Sequence, residues 1–276
     1  MKKDQFIIAY LPDLKHSDAV VSYAVWMARA LSKGLILLHI SDPTYTKVAP
    51  EEAEAELKQM ASSLSGKGIS VTYAALKGST KAIVTALPQL LAAVAIVVEV
   101  DSKASRRSAL HKRQILNNFA DSRAAFLVVQ SPLGEGGVKN AAMSVDFKKE
   151  SKDKFIWSSY LPRFAGCAMH VLSYDYKDQF LHAKWWANMQ QLDKLYGELE
   201  LRHENHVIGD KSTYMDVNAL NYCSENGYDL LIAVTTKEKD GLEFFIGTQE
   251  QRTIVNKYRI PILFLNPRED LYVLCD

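Results

Sequence analysis

The sequence predicts an α/β protein made of two tandem doubly wound, parallel five-stranded sheets. Three observations carry this. Continuous apolar runs such as LILLHI (35–40) and AIVVEV (95–100) alternate with segments of helical period, the pattern of strands buried on both faces of a parallel sheet. A glycine-dense stretch, Gly134-Glu135-Gly136-Gly137, then separates two regions of the same grammar, read as domains 1–133 and 138–276. Landmarks also recur at nearly constant offset: Gly34 against Gly166, Gly78-Ser79 against Gly209-Asp210, Pro132 against Pro267. So long a period means duplication of a whole domain rather than a solenoid of short repeats. Right-handed crossovers then make each half an open doubly wound sheet.

In the first half, FIIAY (6–10) is the opening strand. His16-Ser17-Asp18 offers an N-cap to VVSYAVWMARALSK, and Gly34 is read as its close. LILLHI is the second strand, and Pro50-Glu51-Glu52 starts the second helix, where the paired carboxylates complement the helix dipole. Gly68 ends that helix, ISVTYAAL (69–76) is the third strand, and Gly78-Ser79-Thr80 opens the third helix. AIVVEV, the helix HKRQILNNFADS and the strand AAFLVVQ (124–130) complete the unit.

The second half follows suit. AAMSVDF (141–147) is its first strand, and Glu150-Ser151-Lys152 leads into DKFIWSSYLPRFAG. CAMHVLSY (167–174) precedes the helix FLHAKWWANMQQLDKLYGELE. ENHVIG (204–209) is the third strand, Asp210 to Ser212 cap TYMDVNALNYCSENG, and YDLLIAVTT (228–236) is the fourth strand. IGTQEQRTIVNKYRIPILFLNP (246–267) supplies the last helix and strand; its Gly247-Thr248 pair reads either as a helix cap or as an anion site, since a helix start leaves backbone N–H groups unpaired.

With 276 residues, 48% hydrophobic, the chain can bury one large core or two ordinary ones. A net charge of +1 gives no bulk reason to expect nucleic acid or an anionic membrane as partner. The apolar run near the N-terminus is cut by Pro12 and Asp13 before a signal core forms, and a cytoplasmic protein is expected. Three cysteines without CxxC spacing, Cys167, Cys223 and Cys275, argue for buried or incidental thiols.

The halves together resemble the universal stress protein (UspA-like) family, the second more closely. The matching stretches are MSVDFKKESKDKF, HVIGDKSTYMDVNALNYCSENGYDLLIAV and IGTQEQRTIVNKYRIPILFLN. The resemblance implies Rossmann-like units of the adenine nucleotide alpha hydrolase type, paired about a pseudo-twofold axis through their fifth strands, Phe126 to Gln130 with Ile262 to Leu265. Whether two chains also form a homodimer stays open. In ATP-binding members the phosphates lie on a loop Gly-x2-Gly-x9-Gly-Ser/Thr, and an aspartate ending the first strand holds the adenosine. Carried over, Asp146 matches the aspartate and Gly247-Thr248 the loop's end, while Val234 and Lys237 stand where the loop's glycines belong. Val145, Val171 and Gly209 complete the implied nucleotide-binding set. The acidic residues in TTKEKDGLEFF oppose a triphosphate, so the Gly-Thr pair reads as the surviving end of a rewritten loop.

The first half departs further. Its counterpart loop, VDSKASRRSALHKRQ, lacks glycine, and Asp13 is read as displaced by about two positions from the expected aspartate. Lys103, Arg106, Arg107, His111, Lys112 and Arg113 could hold a phosphate-containing metabolite through side chains, or form a solvated loop. His39 and His170 are read as equivalent, satisfied strand-end histidines with no metal. One of Trp185 and Trp186 is expected to face the core. Ser22, Ser173 and Asp175 lack a nucleophile elbow, so no triad is expected. The resulting expectation is a non-enzymatic stress-response protein that binds a ligand or an unknown protein partner. Adenine-nucleotide binding would be weak, limited to the second domain, or lost. The alternative is slow ATP hydrolysis or nucleotidyl transfer by Asp146 and Thr248 with a divalent metal.

Overall fold

The structure, a computed structural model, describes residues 5–46, 48–65, 68–100, 110–209, 215–235 and 253–267. The chain divides into two compact units, Met1–Gly137 and Val138–Asp276.

In the first unit, β1 (Phe6–Tyr10), β2 (Gly34–Ser41), β3 (Val71–Lys77), β4 (Ala93–Glu99) and β5 (Ala125–Val129) pair in the order β3-β2-β1-β4-β5, every pairing parallel. Between them run α1 (Asp18–Ala30), α2 (Pro50–Leu64), α3 (Thr80–Leu90) and α4 (Lys112–Phe119). Strand residues such as Ile7, Leu35, Leu37 and Val97 are fully buried because helices cover both faces.

In the second unit, β6 (Asn140–Ser144), β7 (Ala168–Ser173), β8 (Glu204–Val207), β9 (Leu230–Val234) and β10 (Ile262–Leu265) pair as β8-β7-β6-β9-β10, again all parallel. A 3-10 turn (Lys149–Lys152) leads into α5 (Asp153–Tyr160), which widens into a π turn over Leu161–Ala165. α6 (Gln179–Glu198) starts where the Asp178 carboxylate accepts from the N–H groups of Phe180 and Leu181. α7 is described over Met215–Glu225, and the predicted cap Asp210 to Ser212 lies outside the described residues. No helix among the described residues is long and apolar enough to cross a membrane.

The structure corrects several details of the sequence reading. Gly34 does not close α1. The chain leaves that helix at Leu31, Ser32 takes the left-handed conformation (φ 52°), and Gly34 is already the first residue of β2. Its lack of a side chain is used otherwise: a Cβ there would stand 2.6 Å from the Phe6 ring. Strand register also fixes how the halves correspond. Phe6 pairs with Gly34 as Asn140 pairs with Ala168, and Leu11 N–H bonds Leu38 O as Val145 N–H bonds Leu172 O. On that correspondence Pro12 is the counterpart of Asp146, so Asp13 is one position away rather than two. His39 corresponds to Ser173 and not to His170, which matches Ile36. His39 lies near the carboxyl end of β2, fully buried, with Nδ1 2.8 Å from Leu11 O; His170 is the third residue of β7.

Candidate functional site

In an open parallel sheet the crevice lies at the carboxyl ends of the strands where the strand order reverses. For the second unit that point falls between β6 and β9. Val145 and Asp146 follow β6 directly, Tyr174 and Tyr176 follow β7, Gly209 follows β8, and Thr235 follows β9. Four strand ends therefore converge on one region because all run the same way.

Asp146 is held from one side. Its Oδ1 accepts from Ser151 Oγ (2.5 Å) and from the Lys148 N–H (2.9 Å), while its own N–H donates to Ser151 Oγ at 3.1 Å. Asn188 Nδ2, from α6, ties down the same turn by donating to the carbonyls of Asp146 and Lys148 (2.8 and 2.9 Å). Oδ2 makes no hydrogen bond among the described residues, so a positioned carboxylate oxygen is left to accept from a ligand hydroxyl or amine.

Aromatic rings stand beside it. Tyr176 meets Phe147 edge-on, with centroids 5.6 Å apart, and lies 6.2 Å from both Tyr174 and Trp185. Burial first, and then the negative charge of Asp146, push the Tyr176 hydroxyl above the usual phenol range, so it stays a neutral phenol at physiological pH. Trp185 is half-buried and turns toward this group, whereas Trp186 is 49% exposed. At Ser144, the last residue of β6, Lys154 Nζ donates to Ser144 Oγ (3.0 Å), and the Ser144 hydroxyl donates to Asp216 Oδ1 (2.6 Å). Lys154 is only 4% exposed, so this chain brings a lysine and a carboxylate under the β6 end.

Of the residues named from the sequence, Val145 and Val171 are buried, Val171 within β7. Gly209 has φ 55°, a conformation that favours glycine, and Asn218 Nδ2 is the nearest atom to where a Cβ would stand, at 3.8 Å. Asn218 Nδ2 also donates to the Tyr174 hydroxyl (2.9 Å), linking α7 to the end of β7. Val234 ends β9, and Thr235 Oγ1 donates to Asn266 Oδ1 at 2.7 Å. Lys237, Gly247 and Thr248 lie outside the described residues. The sequence reading did not find the Ser144, Lys154 and Asp216 chain, because the three sit on different elements with no shared period.

The same end of the first unit is built differently. Pro12 replaces the aspartate and offers neither carboxylate nor N–H. Asp42, after β2, accepts from the Thr80 N–H (2.7 Å) and the Thr44 N–H (3.0 Å), so a carboxylate of the protein already fills the start of α3. Tyr10 and Thr80 meet through their hydroxyls at 3.5 Å, and burial pushes the Tyr10 phenol up to about 12. Within the basic stretch, 103–109 lie outside the described residues, and His111 has a structural task. It caps α4, accepting from the Arg113 N–H while its own N–H donates to Gln114 Oε1.

Comparison with known proteins places this arrangement. No protein-family model matches the chain, and no curated protein matches it. Solved structures do. A universal stress protein from Archaeoglobus fulgidus DSM 4304 superimposes with a TM-score of 0.70 at 13% identity, over 96% of this chain and 97% of that one. A candidate universal stress protein from Pseudomonas aeruginosa UCBPP-PA14 gives 0.68 at 15% identity, over 98% and 95%. A functionally unknown protein from Pseudomonas aeruginosa PAO1 gives 0.64 at 16% identity, with the same coverage. The fold of this chain is that of the universal stress proteins.

Proposed function

We propose that the chain is a tandem universal stress protein, a cytosolic stress-response protein that acts by binding a ligand or partner rather than by catalysis. Adenine-nucleotide binding is confined to the second unit and is weak. The observation that carries this is the contrast between Asp146 and Pro12. In the second unit a carboxylate fixed through Oδ1 leaves Oδ2 to accept from a ribose-like hydroxyl beside flat aromatic rings. In the first unit the corresponding residue has no polar side chain, and the counterpart of the phosphate loop, VDSKASRRSALHKRQ, has no glycine to let backbone N–H groups approach a phosphate. Lys237 and Val234, in place of two loop glycines, weaken phosphate binding in the second unit as well.

Thermal-shift series with ATP, AMP and magnesium test the reading on the parent, Asp146→Ala and Gly247→Trp. A nucleotide-dependent rise in the parent, lost in both variants, supports it. A flat response in the parent removes the nucleotide and leaves partner binding. Phosphate release at a rate above buffer, abolished by Asp146→Ala, would instead favour hydrolysis.

A further inference from the structure

On β7 and β8, the outer strands of the second unit's sheet, three metal-ligating side chains converge. His170 on β7 is the register partner of Glu204 on β8, and His206 lies two residues further along β8, so the strand period of two turns Glu204 and His206 to one face. His170 Nδ1 is 3.1 Å from His206 Nε2 and 3.5 Å from a Glu204 carboxylate oxygen, which is 3.7 Å from His206 Nε2. We propose that His170, Glu204 and His206 form a binding site for a divalent transition-metal ion of the zinc type.

The distances argue for it first. A point equidistant from three atoms so separated lies ~2.0 Å from each, which matches the bond lengths of about 2.0–2.2 Å that zinc makes to histidine nitrogen and carboxylate oxygen. An ion slightly out of that plane reaches all three without movement of the backbone. Two imidazoles and one carboxylate select zinc, cobalt or nickel over magnesium or calcium, which take mostly oxygen.

The surroundings orient the ligands. His170 Nε2 is 3.4 Å from Asn140 Oδ1, which can only accept, so a proton on Nε2 is satisfied there and leaves the Nδ1 lone pair to the site. The Tyr222 hydroxyl, 3.2 Å from His206 Nδ1, can accept a proton carried there, which leaves Nε2, 3.4 Å from the Tyr228 hydroxyl, as the lone-pair atom. Tyr228 stacks on His170 at 4.0 Å and 14°, fixing the ring plane. The Glu204 side chain is 70% exposed, and β8 pairs with β7 at the sheet's outer edge, so an ion has an entry path and a fourth position open to water.

The fold does not require these residues. At the matching register positions the first unit has Ile36, Thr72 and Ala74, none of them a metal ligand of this kind. The sequence carried a faint signal in Glu204-x-His206 at strand period, but His170 joins only through pairing of β7 with β8.

The test is titration of the full chain, stripped with a chelator, with zinc chloride by calorimetry and with cobalt chloride by visible absorption. Glu204→Gln and His206→Ala are titrated alongside, their folding checked by circular dichroism. One zinc per chain, cobalt bands of four-coordinate intensity, and an affinity loss of about 10–100-fold in each variant are expected. No zinc uptake by the parent, or uptake unchanged in either folded variant, overturns the site and leaves a hydrogen-bonded histidine pair. Neither result depends on nucleotide binding, since none of the three ligands is among the residues named for the nucleotide crevice.

Discussion

The carboxylate of Asp42, just past β2, accepts a 2.7 Å hydrogen bond from the backbone N–H of Thr80, the first residue of α3. An anion of the protein thus stands where the helix start favours negative charge. Burial alone would raise the Asp42 carboxyl, yet the hydrogen bonds from Thr80 and Thr44 outweigh it and hold the group below the usual carboxylate range. Asp42→Asn is therefore expected to cost about 1–2 kcal/mol near neutral pH. A folded-state pKa lowered in this way stabilises above the unfolded value and is lost as pH falls through the folded one. The gap between parent and variant should close in urea titrations run at successively more acidic pH; a gap constant with pH would refute the assignment.

Gly34 and Phe6 make a second pair. A Cβ at Gly34 would stand 2.6 Å from the Phe6 ring, where β1 and β2 begin side by side. Gly34→Ala is expected to destabilise by about 1–3 kcal/mol through overpacking. Phe6→Leu in the same chain should recover part of it, so chemical denaturation of the single and double variants yields a non-additive cycle.

Ser144 bridges Lys154 and Asp216 beneath the β6 end. Removing its hydroxyl leaves the nearly buried Lys154 ammonium short of an acceptor, and Ser144→Ala is expected to lower stability by about 1–3 kcal/mol. Lys154→Met, which deletes the donor, should make the further change Ser144→Ala nearly neutral. Equal effects of Ser144→Ala in both backgrounds would show that the bridge contributes nothing.

Burial sets the thiols. It pushes Cys167 up to about 11, with the charge of Asp229 adding to the effect, and Cys223 up to about 12. Both should resist iodoacetamide in the native protein at pH 8 and react only once denaturant is added, as read by peptide mass spectrometry. Alkylation of either at the rate of a free thiol would contradict their packing.

Much of the fold was legible because its cues are local. A run such as LILLHI is apolar throughout because both its faces are covered, and α1 and α2 show the helical period over their own residues. Gly34 misled because glycine both ends helices and permits close approach, and only the position of Phe6 tells which is used. His39 and His170 misled because landmark offsets drift by a few residues, whereas strand register does not.

The sequence by itself determined the alternation of strand and helix and the parallel sheets, since both follow from the chemistry of neighbouring residues. Only the tertiary structure decided which distant groups meet. Asp42 reaches Thr80 across 38 residues, Ser144 reaches Asp216 across 72, and His170 reaches His206 across 36. Those meetings depend on strand order and register, which bring chain-distant side chains within hydrogen-bond range while leaving no periodic trace in the sequence.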